Sequence, residues 1–363
     1  MSDHRAIGSS DHPILITGVA GFIGFHLATR LLTDGHVVVG MDNLNDYYDP
    51  TLKQARLDQI LPHKNFTFHK LDLTDKSGME RLFGETRANV VVHLAAQAGV
   101  RYSLTHPHAY TDANITGFLN VLEGCRANPV DHLIYASSSS VYGGNTKLPF
   151  AEDDPVDTPI SLYAATKKAN ELMAHTYAHL YGIPSSGLRF FTVYGPWGRP
   201  DMAMFKFVQA AFEGGTIDIY NHGDMKRDFT YVDDIVEGIV RLIPCAPGPS
   251  GLARGPRDTK DQGPSAFAEG RVHTAPHTVY NIGNNNPEDL MELVRLVEQT
   301  TGHTVAKNMT AMQPGDVKST YADIMRLQRV TGFAPCTPLK NGVQKFVDWY
   351  RGYYGVSQET TAA

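Results

Sequence analysis

Tyr163 and Lys167, four residues apart in Tyr163-Ala164-Ala165-Thr166-Lys167, are the side chains of this 363-residue sequence best suited to chemistry. Residues at that spacing share one face of a helix, so the ammonium can lie near the phenol and stabilise its phenolate. Each pKa unit taken off a tyrosine needs about 1.4 kcal/mol of differential stabilisation, so reaching neutrality from about 10 needs roughly 4 kcal/mol. A partly desolvated lysine beside the positive ring of an oxidised nicotinamide can supply that, whereas an exposed lysine in water cannot. YxxxK also occurs on ordinary solvated helices. Its meaning here comes from two companions, the run Ser137-Ser138-Ser139-Ser140 and the segment Gly18-Val19-Ala20-Gly21-Phe22-Ile23-Gly24. Together the three read as a nicotinamide active site.

The glycines acquire chemical meaning only between a strand and a helix. Ile14-Leu15-Ile16-Thr17 reads as the strand, 18–24 as a tight turn and Phe22 onward as the helix, the context of a dinucleotide fingerprint. Glycine lets the backbone approach a pyrophosphate at the helix N-terminus, which makes Gly18, Ala20, Gly21, Phe22, Ile23 and Gly24 candidate cofactor residues. Asp42 ends the second strand, where a carboxylate accepts hydrogen bonds from the adenosine ribose and repels a 2′-phosphate, favouring NAD over NADP. Asp72-Leu73 after the third strand and Leu94-Ala95-Ala96-Gln97 after the fourth would edge the adenine and the pyrophosphate.

Positioning these residues requires a parallel sheet. From 13 to 137, apolar runs at 14–16, 37–39, 90–92 and 133–135 alternate with helical patterns, which predicts an α/β fold, a doubly wound Rossmann sheet. Helices are expected over 22–32, 109–126 and 162–181, the last two long and apolar enough to pack against a partner subunit in a homodimer or against the chain itself. Beyond 195 a helix at 202–212, a strand at 217–220 and a helix at 232–242 suggest a smaller C-terminal α/β lobe for substrate. The expected division is 12–192 for cofactor and 193–355 mainly for substrate, with a return of the chain to the first domain left open. Residues 244–276, rich in Pro, Gly, Ala and Ser without periodicity, read as a surface loop without chemistry. A last helix is expected near 339–350.

The composition narrows the field. A formal net charge of −6 with no basic block argues against nucleic acid as a partner. Cys125, Cys245 and Cys336 lack CxxC spacing, so neither a disulfide framework nor structural zinc is indicated and a reducing cytoplasm is the expected home. The polar first dozen residues have no apolar signal core, and no stretch reaches about 18 consecutive apolar residues, so a soluble protein without a membrane partner is expected. His93 and the other histidines lie in no ligand pattern such as HxxxH with an acidic partner, so no metal is expected.

Four motifs in order, Gly18-x-x-Gly21-x-x-Gly24, Ser138 to Ser140 before Val141-Tyr142-Gly143, Tyr163-x-x-x-Lys167 and Arg227-Asp228-Phe229-x-Tyr231-Val232-Asp233-Asp234, resemble the extended short-chain dehydrogenase/reductase family over residues 13–323. Within it the chain resembles the sugar-nucleotide epimerases. Asp42-Asn43-Leu44-Asn45-Asp46-Tyr47-Tyr48, His93-Leu94-Ala95-Ala96-Gln97-Ala98-Gly99-Val100-Arg101-Tyr102-Ser103 and Thr192-Val193-Tyr194-Gly195-Pro196-Trp197-Gly198-Arg199-Pro200-Asp201-Met202-Ala203 look like those of UDP-glucuronate 4-epimerases.

The resemblance implies a UDP-sugar substrate, bound NAD, and Tyr163, Ser138 and Lys167 as catalytic residues. Tyr163 takes the proton of the sugar 4′-hydroxyl as C4′ gives up a hydride, Ser138 holds that oxygen, and Lys167 holds the nicotinamide ribose and lowers the phenol pKa. The 4-keto sugar then turns and is reduced on its other face. The resemblance adds Asn43, Asn45, Asn114, Ala136 and Tyr194 to the cofactor set. It places Thr192, Ser139, Ser140 and Arg199 near the sugar, with Arg101 a further candidate for the uronate carboxylate. Arg227 resembles the phosphate arginine, Lys206 could assist it, Asp316 resembles the acid that meets the nucleotide ribose, and Ser103 joins the substrate set. Gln313 stands where some relatives carry arginine before Pro-Gly-Asp.

Ser139 and Ser140 carry a physical argument of their own. Relatives that dehydrate or decarboxylate hold carboxyl side chains in those slots, and a hydroxyl cannot replace a carboxyl of tuned pKa as a proton donor or acceptor. The alternatives are a 4-epimerase of a neutral UDP-hexose, a UDP-glucuronate decarboxylase and, in a different class, a non-catalytic NAD sensor on the same fold.

Overall fold

In the computed structural model, residues 12–249, 251, 275–313 and 315–356 are described, and most of the expected surface loop at 244–276 lies outside them. Six short strands, β1 (Ile14–Thr17), β2 (Val38–Asp42), β3 (Phe66–Lys70), β4 (Val90–His93), β5 (His132–Ser138) and β6 (Ser185–Phe190), alternate with helices. The remaining strands are β7 (Thr192–Tyr194), β8 (Thr216–Ile219), β9 (Lys226–Tyr231), β10 (His277–Ile282), β11 (Pro287–Asp289) and β12 (Ala306–Met309). Seven of them form one parallel sheet in the order β10-β6-β5-β4-β1-β2-β3. Helices cover both faces, and continuous apolar runs such as Ile14-Leu15-Ile16 are correspondingly buried.

The chain leaves β1 toward β2 and β3, then crosses back to β4 on the other side. Ligands bind outside the carboxyl ends of strands at such a reversal, and Gly18 and Leu94 stand at the ends of the two diverging strands.

Two late segments return to this sheet. Strand β10 pairs with β6, and the helix Val232–Leu242 packs on Phe22–Thr33. Strand β9 lies between β7 and β11, and β8 pairs with β12, giving the second lobe two small sheets. A helix over Leu290–Thr301, absent from the sequence reading, packs there as well.

The helix expected over 109–126 is not a single α-helix. It comprises Pro107–Tyr110, a π-helical segment Thr111–Thr116 and an α-helix Gly117–Ala127. Inserting a π turn rotates the following residues around the axis, and Asn114 within it is buried against Gln97 and Thr166. The final helix runs to Tyr354, beyond the expected end. Its Trp349 and Tyr353 pack on Trp197, and Phe346 and Tyr350 pack on Phe205, contacts from distant sequence that no local pattern carries.

A buried ion pair joins the elements that bear the serines and the tyrosine. Arg189 on β6 donates from Nε and Nη2 to Glu171 at 2.8 and 2.9 Å, and the Ser137 hydroxyl donates to the same carboxylate at 2.7 Å. Arg189 Nη1 also donates to the Tyr142 hydroxyl at 3.1 Å, just beyond the serine run. Removing one partner of such a pair strands a buried charge. Arg189→Met should therefore cost about 3–5 kcal/mol in urea denaturation, and adding Glu171→Leu should recover part of the loss. A single variant as stable as the parent would contradict this.

Candidate active site

A cleft of about 1160 Å³ runs along the carboxyl edge of the parallel sheet and under the second lobe. Ordinary small-molecule sites measure about 300–1,000 Å³, so this one has room for two ligands side by side. Every residue expected at the site lies on its wall except Ala20, Ser103, Asn114 and Tyr194.

At one end the glycine turn forms the wall. Gly18 has φ +76°, and a Cβ there would lie 2.7 Å from the Ala95 amide nitrogen. At Gly24 a Cβ would come within 2.2 Å of the Gly18 carbonyl, so any side chain would pry helix from strand. The helix Phe22–Thr33 has Gly21 as its N-cap, with no side-chain cap and no acid in its first turn. Its leading amides thus face the cleft as an anion site.

Asp42 is buried beside that site and accepts from the Leu44 amide at 2.9 Å and the Ala20 amide at 3.1 Å. Burial pushes its pKa up more than those amides and the nearby Lys53 and Arg56 pull it down. A phosphate cradle with a fixed carboxylate at the end of the next strand is the donor and acceptor set that a dinucleotide requires.

Ser161 caps the helix Leu162–Tyr181 by accepting from the Ala164 amide at 3.1 Å, and so starts the helix that carries Tyr163 and Lys167. The Lys167 ammonium donates to the Ala136 carbonyl at 3.0 Å, and burial lowers its pKa to about 8. Burial raises the Tyr163 phenol above its ordinary value, while a hydrogen bond with Ser138 and then the Arg199 charge pull it back. Without cofactor the Lys167 ammonium is engaged with Ala136, and Ser138 and Arg199 are the groups that pull the phenol down; the expected lowering by Lys167 concerns the site beside an oxidised nicotinamide. The hydroxyl of Ser138 also accepts from the Ser140 amide at 3.1 Å, setting the turn Ser139–Tyr142 that brings Ser139 and Ser140 to the wall.

Toward the second lobe, Thr192 and Lys206 line the wall, and Arg199 is paired with Asp201. Arg101 donates to Asp316 at 3.0 Å and lies over the Tyr220 ring at 4.1 Å. Burial lowers the Arg227 pKa, with Asp316 opposing that and Arg101 adding to it. Three charged groups thus converge at this end, two cations and one anion, with Lys206 on the same wall.

The four residues off the wall are spent on structure. Ala20 gives its amide to Asp42 and its carbonyl to Arg56. Ser103 donates to the Val100 carbonyl at 2.6 Å. Asn114 exchanges two hydrogen bonds with the Gln97 backbone and donates to Thr166. The Tyr194 hydroxyl points to the Leu339 carbonyl beneath Gly342.

Sequence reasoning missed Tyr47, Lys53 and Asp201, which all line the cleft. Tyr47 and Asp201 belong to stretches read only as family markers. Lys53 has no pattern at all, yet its ammonium is fixed by Asn45 through two bonds of 2.7 Å. His93 donates to or accepts from Thr17 at 2.8 Å, and burial, with Lys167 nearby, lowers its pKa to about 3.

Comparison with known proteins agrees with this geometry. Residues 14–250 match the model of the NAD dependent epimerase/dehydratase family. The chain is 54% identical to Protein CapI of Staphylococcus aureus, over 94% of this chain and 99% of that protein. It is 45% identical to UDP-glucuronate 4-epimerase 4 of Arabidopsis thaliana, over 96% of this chain and 77% of that one. The fold superposes with a TM-score of 0.82 on the crystal structure of UDP-glucuronic acid 4-epimerase from Bacillus cereus in complex with UDP-glucuronic acid and NAD. There the identity is 31%, over 94% of this chain and all (100%) of that one.

The buried lysine makes a pH prediction. A lysine whose folded pKa lies near 8, below its unfolded value, penalises folding while the ammonium is charged, and the penalty fades as pH rises toward about 10.4. In nucleotide-free protein, Lys167→Met should raise stability at pH 7 by up to roughly 3 kcal/mol, and the gain should shrink progressively above about pH 8. Urea titrations of both proteins at pH 7 and pH 10 would check this; a gain that grows with pH would contradict it.

Proposed function

Because this chain belongs to the NAD dependent epimerase/dehydratase family, we propose that it converts UDP-glucuronic acid to UDP-galacturonic acid through a transient 4-keto sugar. The observation that carries the reading is the convergence of Tyr163, Ser138 and Lys167 with two serines, Ser139 and Ser140, in place of catalytic carboxyls and with Arg199 on the same wall. When bound, NAD is the reversible hydride acceptor of the reaction.

The chain's own residues do the rest. Tyr163 as phenolate takes the proton of the 4′-hydroxyl, and its phenol returns that proton to the 4′-oxygen once C4′ is reduced on its other face. Ser138 hydrogen-bonds the same oxygen. Lys167 holds the nicotinamide ribose, the amides after Gly21 take the pyrophosphate and Asp42 takes the adenosine ribose. Arg227, helped by Lys206, faces the substrate diphosphate, and Asp316 the uridine ribose.

A 4-keto uronic acid is a β-keto acid that loses carbon dioxide readily, so the site must restrain the carboxylate. Thr192, Ser139, Ser140 and Arg199 serve that purpose in this reading. Arg101, joined to Asp316 by one bond and lying over the Tyr220 ring, is a further candidate. Decarboxylation and dehydration would need a carboxyl at the slots that Ser139 and Ser140 fill.

The cofactor domain is assigned to 12–192 and the substrate lobe mainly to 193–355, with β10 completing the first sheet. A cytoplasmic homodimer is the proposed assembly. Leu119, Leu172, Leu180 and Tyr181 leave 40%, 56%, 60% and 45% of their surface exposed on the two long helices first suggested for a subunit contact. Among the described residues no helix is long and apolar enough to cross a membrane.

Purified protein incubated with UDP-glucuronic acid and no reductant should form UDP-galacturonic acid in sugar-proton NMR, without net NADH or carbon dioxide. A pentose product would make it a decarboxylase, and inertness would redirect the search to neutral UDP-hexoses. Tyr163→Phe should keep its bound NAD and lose at least about 100-fold in turnover. A near-normal rate in that variant would rule out the assigned base.

A further inference from the structure

Arg199 is held by a brace that the proposed chemistry does not by itself require. Its Nε and Nη2 donate to Asp201 at 2.9 and 2.5 Å, so Asp201 occupies one edge of the guanidinium. A guanidinium has five donors in a rigid plane and can meet carboxylates bidentately along more than one edge. Among the described residues, no hydrogen bond is made by Nη1, and the side chain lies on the cleft wall with 22% of its surface exposed. One complete edge, Nη1 with the second hydrogen of Nη2, is therefore left for a ligand.

Asp201 is itself secured. The Tyr47 hydroxyl donates to its Oδ2 at 3.3 Å, and the Tyr47 ring stands edge-on to Tyr102 at 4.8 Å. Gly99 makes room for that hydroxyl: φ is +98°, and a Cβ there would come within 2.5 Å of it. Burial raises the Asp201 pKa, and Arg199 with other partners more than reverses this, so the carboxylate is ionised.

The backbone before Arg199 is fixed as well. The fully buried Arg56 donates to the Trp197 carbonyl at 2.6 Å, the Gly198 carbonyl at 3.3 Å and the Ala20 carbonyl at 2.9 Å. It thereby ties the segment before Arg199 to the glycine turn. Holding a side chain in its binding geometry lowers the ordering cost when ligand arrives.

We infer that Asp201, braced by Tyr47, is a specificity-determining positioning residue that turns the free edge of Arg199 toward the C5′ carboxylate of a UDP-hexuronate. This rests on reading the site as one for UDP-uronates. The opposite role is also chemically definite: an Asp201 that merely competed for Arg199 would weaken uronate binding, and its removal would strengthen it.

The two roles separate in one experiment on protein carrying its bound NAD. KM for UDP-glucuronic acid is measured together with Ki for UDP-glucose, a neutral sugar with the same nucleotide, as a competitor. Asp201→Asn should raise the KM about tenfold, equivalent to about 1.4 kcal/mol, while the Ki changes by less than about twofold. Tyr47→Phe should move the same ratio in the same direction by about threefold. A lower KM, an unchanged KM, or equal shifts in KM and Ki would overturn the inference. Should Asp201→Asn fail to fold, the ratio in Tyr47→Phe decides by the same criterion. A parent enzyme inert toward UDP-glucuronic acid would overturn the uronate reading and this inference together, whereas an active parent with an unmoved ratio would overturn the inference alone.

Discussion

A buried ion pair, beside the bond from Lys167 to the Ala136 carbonyl, sets the geometry of the proposed catalytic residues. Tyr163 and Lys167 ride on a helix and Ser138 ends a strand, and nothing local holds a helix and a strand end in register. Glu171, one turn beyond Lys167, accepts from Ser137, the residue before Ser138, and from Arg189 on the neighbouring strand. Arg189 then reaches Tyr142 at the end of the serine turn. A pair this deep contributes little net stability over an apolar alternative. Its contribution is directional, because the fork of Arg189 matches the carboxylate in one orientation and Ser137 shares an oxygen with it.

The same trade between burial and charge recurs along the cleft. Burial lowers Lys167 to about 8 and raises Tyr163, so both are displaced toward their neutral forms. Ser138 and Arg199 partly reverse the displacement at the phenol. A site of this kind is held in tension. Lys167 at about 8 stays protonated at neutral pH, whereas the Tyr163 phenolate is favoured only beside positive charge, which in the proposed reaction the oxidised cofactor brings with it.

The end of the cleft away from the glycine turn uses paired charges where that turn uses backbone amides. Arg101 with Asp316 and Arg199 with Asp201 stand at separate points of the wall, each cation steadied by a carboxylate. A lone arginine would be mobile and would bind phosphate or carboxylate anywhere in reach. Pairing fixes the orientation of each, and in the proposed reading shape then enters the selection between a sugar that bears a carboxylate and one that does not.

Much of this was legible in the residues alone. Short apolar runs alternating with helical patterns have few folds open to them, so the parallel sheet followed from periodicity, as did the strand, turn and helix around Gly18. The bounds of Leu162–Tyr181 and Val232–Leu242 match the expected ranges, since each is a single uninterrupted pattern. Tyr163 and Lys167 were visible because a four-residue spacing carries its own geometry, and Ser138 because the ordered motifs resemble a family. What local spacing could not encode were contacts between segments distant in the chain. The π turn at Thr111–Thr116 answers to Gln97 and Thr166, β10 joins β6 across a long excursion, and Arg101 meets Asp316 across the cleft. Arg56 belongs to none of the motifs and is fully buried against three carbonyls. The sequence by itself determined which chemistry was available, because residue type and short-range periodicity set it. Only the tertiary structure decided which charge faces which, because burial and pairing are properties of the packed chain.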